Sequence, residues 1–497
     1  MDRLLRRRIK NLDSRVLKPT LRAYALGYLT TTGPRVVSFI RILRRKDLSN
    51  EVKVRHLAHI LVAALRWNRF PSVCALLAAG STLLPLLLNR VIAALFNRQK
   101  SKRVVLAVKL SRLLRFVATF VSAWLCFPLL NSRRRPESEP NTFRNDAFPD
   151  RGENTINVSS QGRRYSVSTA THRPAFAGRT LDLTLFVVVR AVDVLACTSW
   201  SRWKLHRRAR KSFTRIESIM PQLLDTGVFA VTAATVMWAW FYVPEKLPFS
   251  YGRWISEVAQ IDPRLIEALR SARRGDWTYG KPKGSQDVLE PMCEDYGWPR
   301  VWGDPSQTVP IPCEVVHMGC GPNCEVHAIW RFAKSFRFAL MTDLPIQLLL
   351  RSRSPSLQGY FGAVKASLRS STFLGLFVSI FYYSVCLART RLGPKIFSYE
   401  KVTPMMWDSG VCVASGCMMC GWSVFVESAK KRQEISLFVA PRAIATLLPR
   451  RYDRKHMWRE QLAFSLGTAI VLTCIQSDPK KVRGVLGGVL RQVFGKA

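Results

Sequence analysis

The chain has 497 residues, 48% of them hydrophobic, with 76 Lys and Arg against 33 Asp and Glu and a formal charge of +43. A length prior alone reads this as two to four soluble domains, but the basic residues cluster between long apolar runs instead of covering one face or tail. That placement excludes nucleic acid as a partner and points to membrane spans whose flanking loops meet anionic headgroups.

The first segment, "MDRLLRRRIKNLDSRVLKPTLRAY", holds Arg and Leu but no apolar h-region, so no cleavable signal peptide is expected there. Leu4, Leu5, Ile9, Leu12 and Val16 fit a basic amphipathic helix, either a mitochondrial-type address or a membrane-surface helix. A helix over Leu17–Leu43 follows, interrupted by Gly33-Pro34. Two uncharged runs come next, Phe70–Leu88 and Phe116–Leu130. Each approaches the ~20 residues that cross a bilayer.

Residues 132–180 are rich in Arg, Ser, Asn and Pro and poor in apolar side chains, which predicts a disordered loop. Its "RRYS" places a basophilic phosphorylation site at Ser166, against the alternative of an unmodified tail. Beyond it, Leu181–Trp200 is amphipathic and basic on both flanks. It is expected to lie in the interface with Arg190 reaching the headgroups, as Arg442 does in the similar segment Ile435–Leu448. Thr226–Val243 is a further span ending in aromatic residues.

Residues 244–324 form a polar connector. Asp262-Pro263 reads as an N-cap followed by proline at the first helical position, within two short amphipathic helices on the membrane surface. Pro322-Asn323 reads as another helix start, placing Cys324, His327 and Arg331 on one face, with Cys313, His317 and Cys320 in the loop before it. Cys313, His317, Cys324 and His327 could supply four zinc ligands, with Cys320 or Cys293 as substitutes. The spacing is not that of a standard finger, so a disulfide such as Cys313–Cys324 and simple packing of thiols remain alternatives. No other cofactor is expected, and no nucleophile elbow, P-loop or HExxH is present.

The remaining spans are Thr372–Ala388, Met405–Val426, with Asp408 as its one charge, and the shorter Leu462–Ser477. Cys412, Cys417 and Cys420 lie inside the second of these, where thiols are expected to pack.

The chain also looks like itself. "LTLFVVVRAVDVL" (Leu183–Leu195) matches "ISLFVAPRAIATL" (Ile435–Leu447), putting Arg190 on Arg442, while Phe70 falls on Phe373 and Pro244 on Pro479. Between the Phe70 and Arg190 anchors the N-terminal copy carries roughly fifty extra residues, which the 132–180 loop supplies. The expected fold is therefore all-α: a polytopic membrane helical bundle of two fused repeat units, each of about four spans plus interfacial helices. The first repeat unit is 1–131 with 181–243, the connector is 244–324, and the second unit is 325–497.

With "LKPTLRAYALGYL", "RFPSVCALLAAGSTLL", "FYVPEKLPFSYGRWI", "PCEVVHMGCGPNCEVHAIWRF" and "LFVAPRAIATLLPR" in this order, the chain resembles the transmembrane protein 135 family. The resemblance implies a non-enzymatic integral protein of peroxisomal or mitochondrial membranes, distantly related to the mitochondrial inner-membrane translocase superfamily. It further implies a role in lipid or solute movement or organelle maintenance, and no catalytic residue. Membrane lipids with anionic headgroups, and a homo-oligomer or protein partner, are the expected partners. Two rival readings are a membrane-embedded scaffold whose cysteine-rich block recruits partners, and a metal-dependent membrane enzyme built on that block.

Overall fold

A computed structural model describes residues 2–43, 50–96, 108–131, 176–178, 180–210, 212–281, 286–352, 356–398, 400–450 and 452–495. The described chain is helical apart from a two-residue antiparallel pair that sets Phe176 opposite Asp453 and Ala177 opposite Tyr452. In chain order the helices are α1 (Asp2–Leu43), α2 (Asn50–Leu65), α3 (Phe70–Phe96), α4 (Val108–Asn131), α5 (Leu181–Ala209), α6 (Arg215–Tyr242), α7 (Phe249–Ala259), α8 (Pro263–Arg274) and α9 (Gln286–Asp295). They continue as α10 (Cys313–His317), α11 (Cys324–Arg351), α12 (Leu357–Cys386), α13 (Gly393–Ile396), α14 (Pro404–Met406), α15 (Cys412–Cys420), α16 (Ala429–Leu447), α17 (Met457–Ser477) and α18 (Gly484–Phe494).

Among the described residues, five segments are long and apolar enough to cross a membrane: Asn50–Val91, Leu110–Asn131, Arg215–Tyr242, Leu357–Arg391 and Pro404–Val426. This architecture is compatible with a helical membrane bundle. The expected span Leu462–Ser477 lies within α17 but is not one of the five; Arg459 and Glu460 open that helix and lower its apolar content. Most of the 132–180 loop, Ser166 included, falls outside the described residues. The interruption expected at Gly33-Pro34 does not occur, because α1 runs through both Pro19 and Pro34. Thr30 and Thr31 hydroxyls bond the Gly27 carbonyl, and Thr32 bonds that of Tyr28, in the turn where proline removes a backbone donor.

The helices form two compact units, whose described residues lie within Met1–Phe143, Val167–Phe213 and Arg450–Ala497 for one, and within Thr214–Pro449 for the other. In the first, α1 packs on α3, α3 on α4, and α17 on both α4 and α5. Phe127 and Phe464 join α4 to α17 with ring centroids 5.5 Å apart, and Gln461 Nε2 donates to the Trp124 carbonyl at 2.9 Å. Beside them Glu460 accepts from the hydroxyls of Thr180, Thr184 and Tyr452, so a carboxylate buried in the bundle has its acceptor sites filled. On α5, the buried Asp193 accepts from Arg483, which precedes α18. Arg190 is also buried, with its guanidinium 5.2 Å from the Phe186 ring centroid.

In the second unit α11 packs on α12, α12 on α15, and α6 on both α15 and α16. Small residues set the spacing: a Cβ on Gly421 would meet the Ala230 Cα at 2.5 Å, and one on Gly416 would meet the Phe381 ring at 2.8 Å. The two units therefore share one packing order, but the last long helix of each comes from the other half of the sequence. The compact units divide the described residues at 213/214 and 449/450, and an apolar helix carries no hydropathy label for the bundle it joins. Both α6 and α17 end in a proline-led 3₁₀ turn, Pro244–Lys246 after α6 and Pro479–Lys481 after α17.

Candidate functional site

The connector folds as a small helical cap inside the second unit. Asp262 caps α8 by accepting from Arg264 N at 2.9 Å, and Pro263 takes the first helical position. Leu265, Ala268, Trp277, Leu289 and Met292 build its apolar core together with Cys293. Cys293 is thus a core residue and lies outside the group formed by Cys313, His317 and Cys324. At the start of α11, Asn323 accepts from the backbone of Glu325 and Val326, as the sequence implies.

Two contacts tie the cap to the long helices, and a buried ion pair anchors one of them. Arg331 donates to the carbonyls of Ala259 and Gln260 at the end of α7, at 3.2 and 3.1 Å, with its guanidinium 4.5 Å over the Tyr382 ring. A cation at a helix C-terminus meets the negative end of the backbone dipole. Arg389 and Asp408 form a two-point hydrogen-bonded pair, 2.5 and 2.9 Å, with side chains only 4% and 2% exposed. Tyr279 donates its hydroxyl to the same carboxylate and accepts from Ile311 N at 3.0 Å, which fixes the strand of chain entering α10.

The cysteine-histidine block sits beside this pair. The stretch expected as a loop contains the single-turn α10, bounded by Pro312 before it and by Met318 at φ 52° after it. Gly319 and Gly321, both at positive φ, then reverse the chain into α11. As a result the ligand atoms of Cys313, His317 and Cys324 all lie within 4.8 Å of one another. A fourth group arrives from the end of α12: Cys386 Sγ is 3.3 Å from His317 Nε2 and in hydrogen-bond contact with Cys324. The other ring nitrogen, Nδ1, faces the Gly321 carbonyl at 2.7 Å. His327 stacks on the back of His317, centroids 4.3 Å apart, and edge-on to Tyr382. It is fully buried, and neither of its ring nitrogens has a hydrogen-bond partner among the described residues.

Burial lowers the pKa of His317, and burial with His317 and Arg331 nearby pushes that of His327 down to about 3. Burial, then the neighbouring Cys324, raises the Cys313 thiol. All twelve cysteines are free, so the Cys313–Cys324 disulfide weighed from the sequence is not formed. Of the sequence candidates, Cys313, His317 and Cys324 meet, His327 backs them, and Cys320 is not part of the group. Cys386 escaped sequence reading because it lies inside an apolar span; its place near that span's polar end was the signal available.

The second feature of this unit is an apolar cavity of about 260 Å³ between α6, α7, α12 and α16, lined among others by Phe229, Met237, Trp254, Phe373, Leu374 and Val439. Tyr251 and Trp254 stack beside it at 6.0 Å. Arg442 spans two lining residues, its guanidinium 3.6 Å from the Phe438 ring centroid and 5.1 Å from that of Tyr251.

No family model, curated protein or solved structure matches the chain.

Proposed function

We propose that the chain is a non-enzymatic integral membrane protein, of the transmembrane protein 135 type, that binds and moves lipid. The observation that carries this reading is the apolar cavity with Arg442 beside it. Its volume is below the ~300 Å³ at which small-molecule pockets begin, which suits a segment of an acyl chain better than a whole polar solute. Tyr251 and Trp254 are the residue types that settle at headgroup depth. Arg442 beside them is placed to meet a lipid phosphate while the chain enters between α6 and α12.

The common packing order supports two bundles descended from one ancestor, with their final helices exchanged between them. A peroxisomal or mitochondrial membrane is the location that the sequence resemblance favours.

The test is purification from membranes in mild detergent, lipid extraction, and transfer of labelled anionic lipid between vesicles. Wild-type protein should retain anionic phospholipid and accelerate transfer. Leu374→Trp, which fills the cavity, and Arg442→Gln should both reduce this at least tenfold, while Arg442→Lys keeps part of it. Wild-type protein that carries no lipid and transfers none would favour the scaffold reading instead.

A further inference from the structure

We propose that Cys313, His317, Cys324 and Cys386 form a tetrahedral zinc site that fastens the connector to the end of the α12 span. The proposal is independent of the lipid reading, because none of the four lines the apolar cavity.

Zinc in structural sites takes four N and S ligands, with Zn–S near 2.3 Å and Zn–N near 2.0–2.1 Å. A tetrahedron with those bonds separates sulfurs by about 3.8 Å and sulfur from nitrogen by about 3.6 Å. The structure sets Cys386 Sγ 3.3 Å from His317 Nε2 and keeps the three connector ligand atoms within 4.8 Å of each other. Cys386 lies outside that three-residue group, so closing the shell asks its side chain to move toward Cys313 by a change of rotamer.

The histidine is already oriented for a metal. Nδ1 lies 2.7 Å from the Gly321 carbonyl, which assigns the proton to that nitrogen and leaves the Nε2 lone pair facing the sulfurs. Metal-bound histidines repeatedly use this outer hydrogen bond to fix their tautomer and ring plane. His327 adds a second restraint by stacking on the same ring from behind. It therefore positions His317 and is not itself a ligand, although the sequence counted it as one.

The donor set also decides the metal and its role. Three thiolates and one imidazole are soft and borderline ligands that select zinc over magnesium, calcium or manganese. Four protein ligands leave no open position for water, which makes the site structural and not hydrolytic. A disulfide would engage two of the three sulfurs and leave the third beside an imidazole with nothing to bind. α11 and α12 already pack along each other and are joined near this point by Ser379 to the Ala328 carbonyl and by Arg391 to Glu325, so a shared ion would chiefly fasten the single-turn α10 to that pair.

The experiment is zinc quantification by mass spectrometry on full-length protein purified in reducing buffer with trace zinc, followed by cobalt exchange and absorption spectroscopy. Wild type should carry one zinc per chain and give a thiolate-to-cobalt charge-transfer band of three-sulfur intensity. Cys313→Ser, His317→Ala, Cys324→Ser and Cys386→Ser should each lose zinc at least tenfold, whereas His327→Phe, Cys320→Ser and Cys412→Ser keep it. Cys386→His, which preserves a ligand and so guards against simple misfolding, should keep cobalt with a band reduced to two-sulfur intensity. Absence of stoichiometric zinc, zinc that survives Cys386→Ser, loss of zinc in His327→Phe, or a three-sulfur band in Cys386→His would each overturn the assignment. So would a Cys313–Cys324 disulfide found under these reducing conditions.

Discussion

Arg389, just beyond the last turn of α12, grips the carboxylate of Asp408 through Nε and Nη2, and almost no solvent reaches either side chain. Two charges in such a place are tolerable only together. Asp408→Ala should lower stability by about 3–5 kcal/mol, since it strands a buried guanidinium. Replacing both partners with apolar residues, Arg389→Met with Asp408→Leu, should recover most of that loss. Thermal unfolding in detergent of Arg389→Met, Asp408→Ala and the double variant reads the difference; a double variant that loses the sum of the two single losses would show that the pair itself contributes little.

Asp262 supports the connector through its cap on α8. Burial opposes its charge, but hydrogen bonds from the Arg264 side chain and backbone outweigh that and hold the carboxyl below its ordinary value. Its contribution is therefore present above the unfolded-state pKa near 3.9 and is lost as pH falls through the lowered folded value. Asp262→Ala should cost about 1 kcal/mol, while Asp262→Asn, which still caps, should cost much less at neutral pH. Faster amide exchange confined to α8 is the expected signature.

Close helix approach in the second unit depends on two glycines. Gly421→Ala places a methyl 2.5 Å from the Ala230 Cα, a backbone atom that cannot swing aside. A loss of about 1–3 kcal/mol is expected, as in overpacked cores. Gly488→Ala is the matched control because nothing lies within 4 Å of the added methyl. Melting temperatures of the two variants should separate clearly.

The packing of α17 on α4 joins residues far apart along the chain. Phe464→Ala on α17 removes the ring that meets Phe127, and should loosen α4, more than 300 residues earlier, at a cost of about 3–5 kcal/mol. Cys126, buried on α4, should then react faster with a maleimide, while Cys417 in the other unit keeps its protection. If Cys417 responded and Cys126 did not, α17 would belong with the C-terminal helices after all.

Much of this structure can be read from residue order. Apolar length marks the five spans, and Asp262-Pro263 and Asn323 announce helix starts because a side-chain acceptor must serve backbone donors there. The clustering of Cys313, His317 and Cys324 follows from their nearness in sequence. Three things were hidden. Partner choice among apolar helices leaves no mark in hydropathy, so the packing of α17 on α4 and α5, and of α6 on α15 and α16, is invisible. Cys386 sits 62 residues beyond Cys324 in a span where cysteine ordinarily packs. Arg389 could have been sought, because a lone acid such as Asp408 within a span calls for a cation nearby.

Among the described residues the second unit lies between Thr214 and Pro449, whereas the first is written before and after it. During synthesis, α1 to α5 emerge early yet lack α17 until the ribosome has made everything in between. The middle of this protein can finish folding while its beginning is still waiting, and any factor that guards nascent apolar helices would have to hold α4 and α5 for that whole interval.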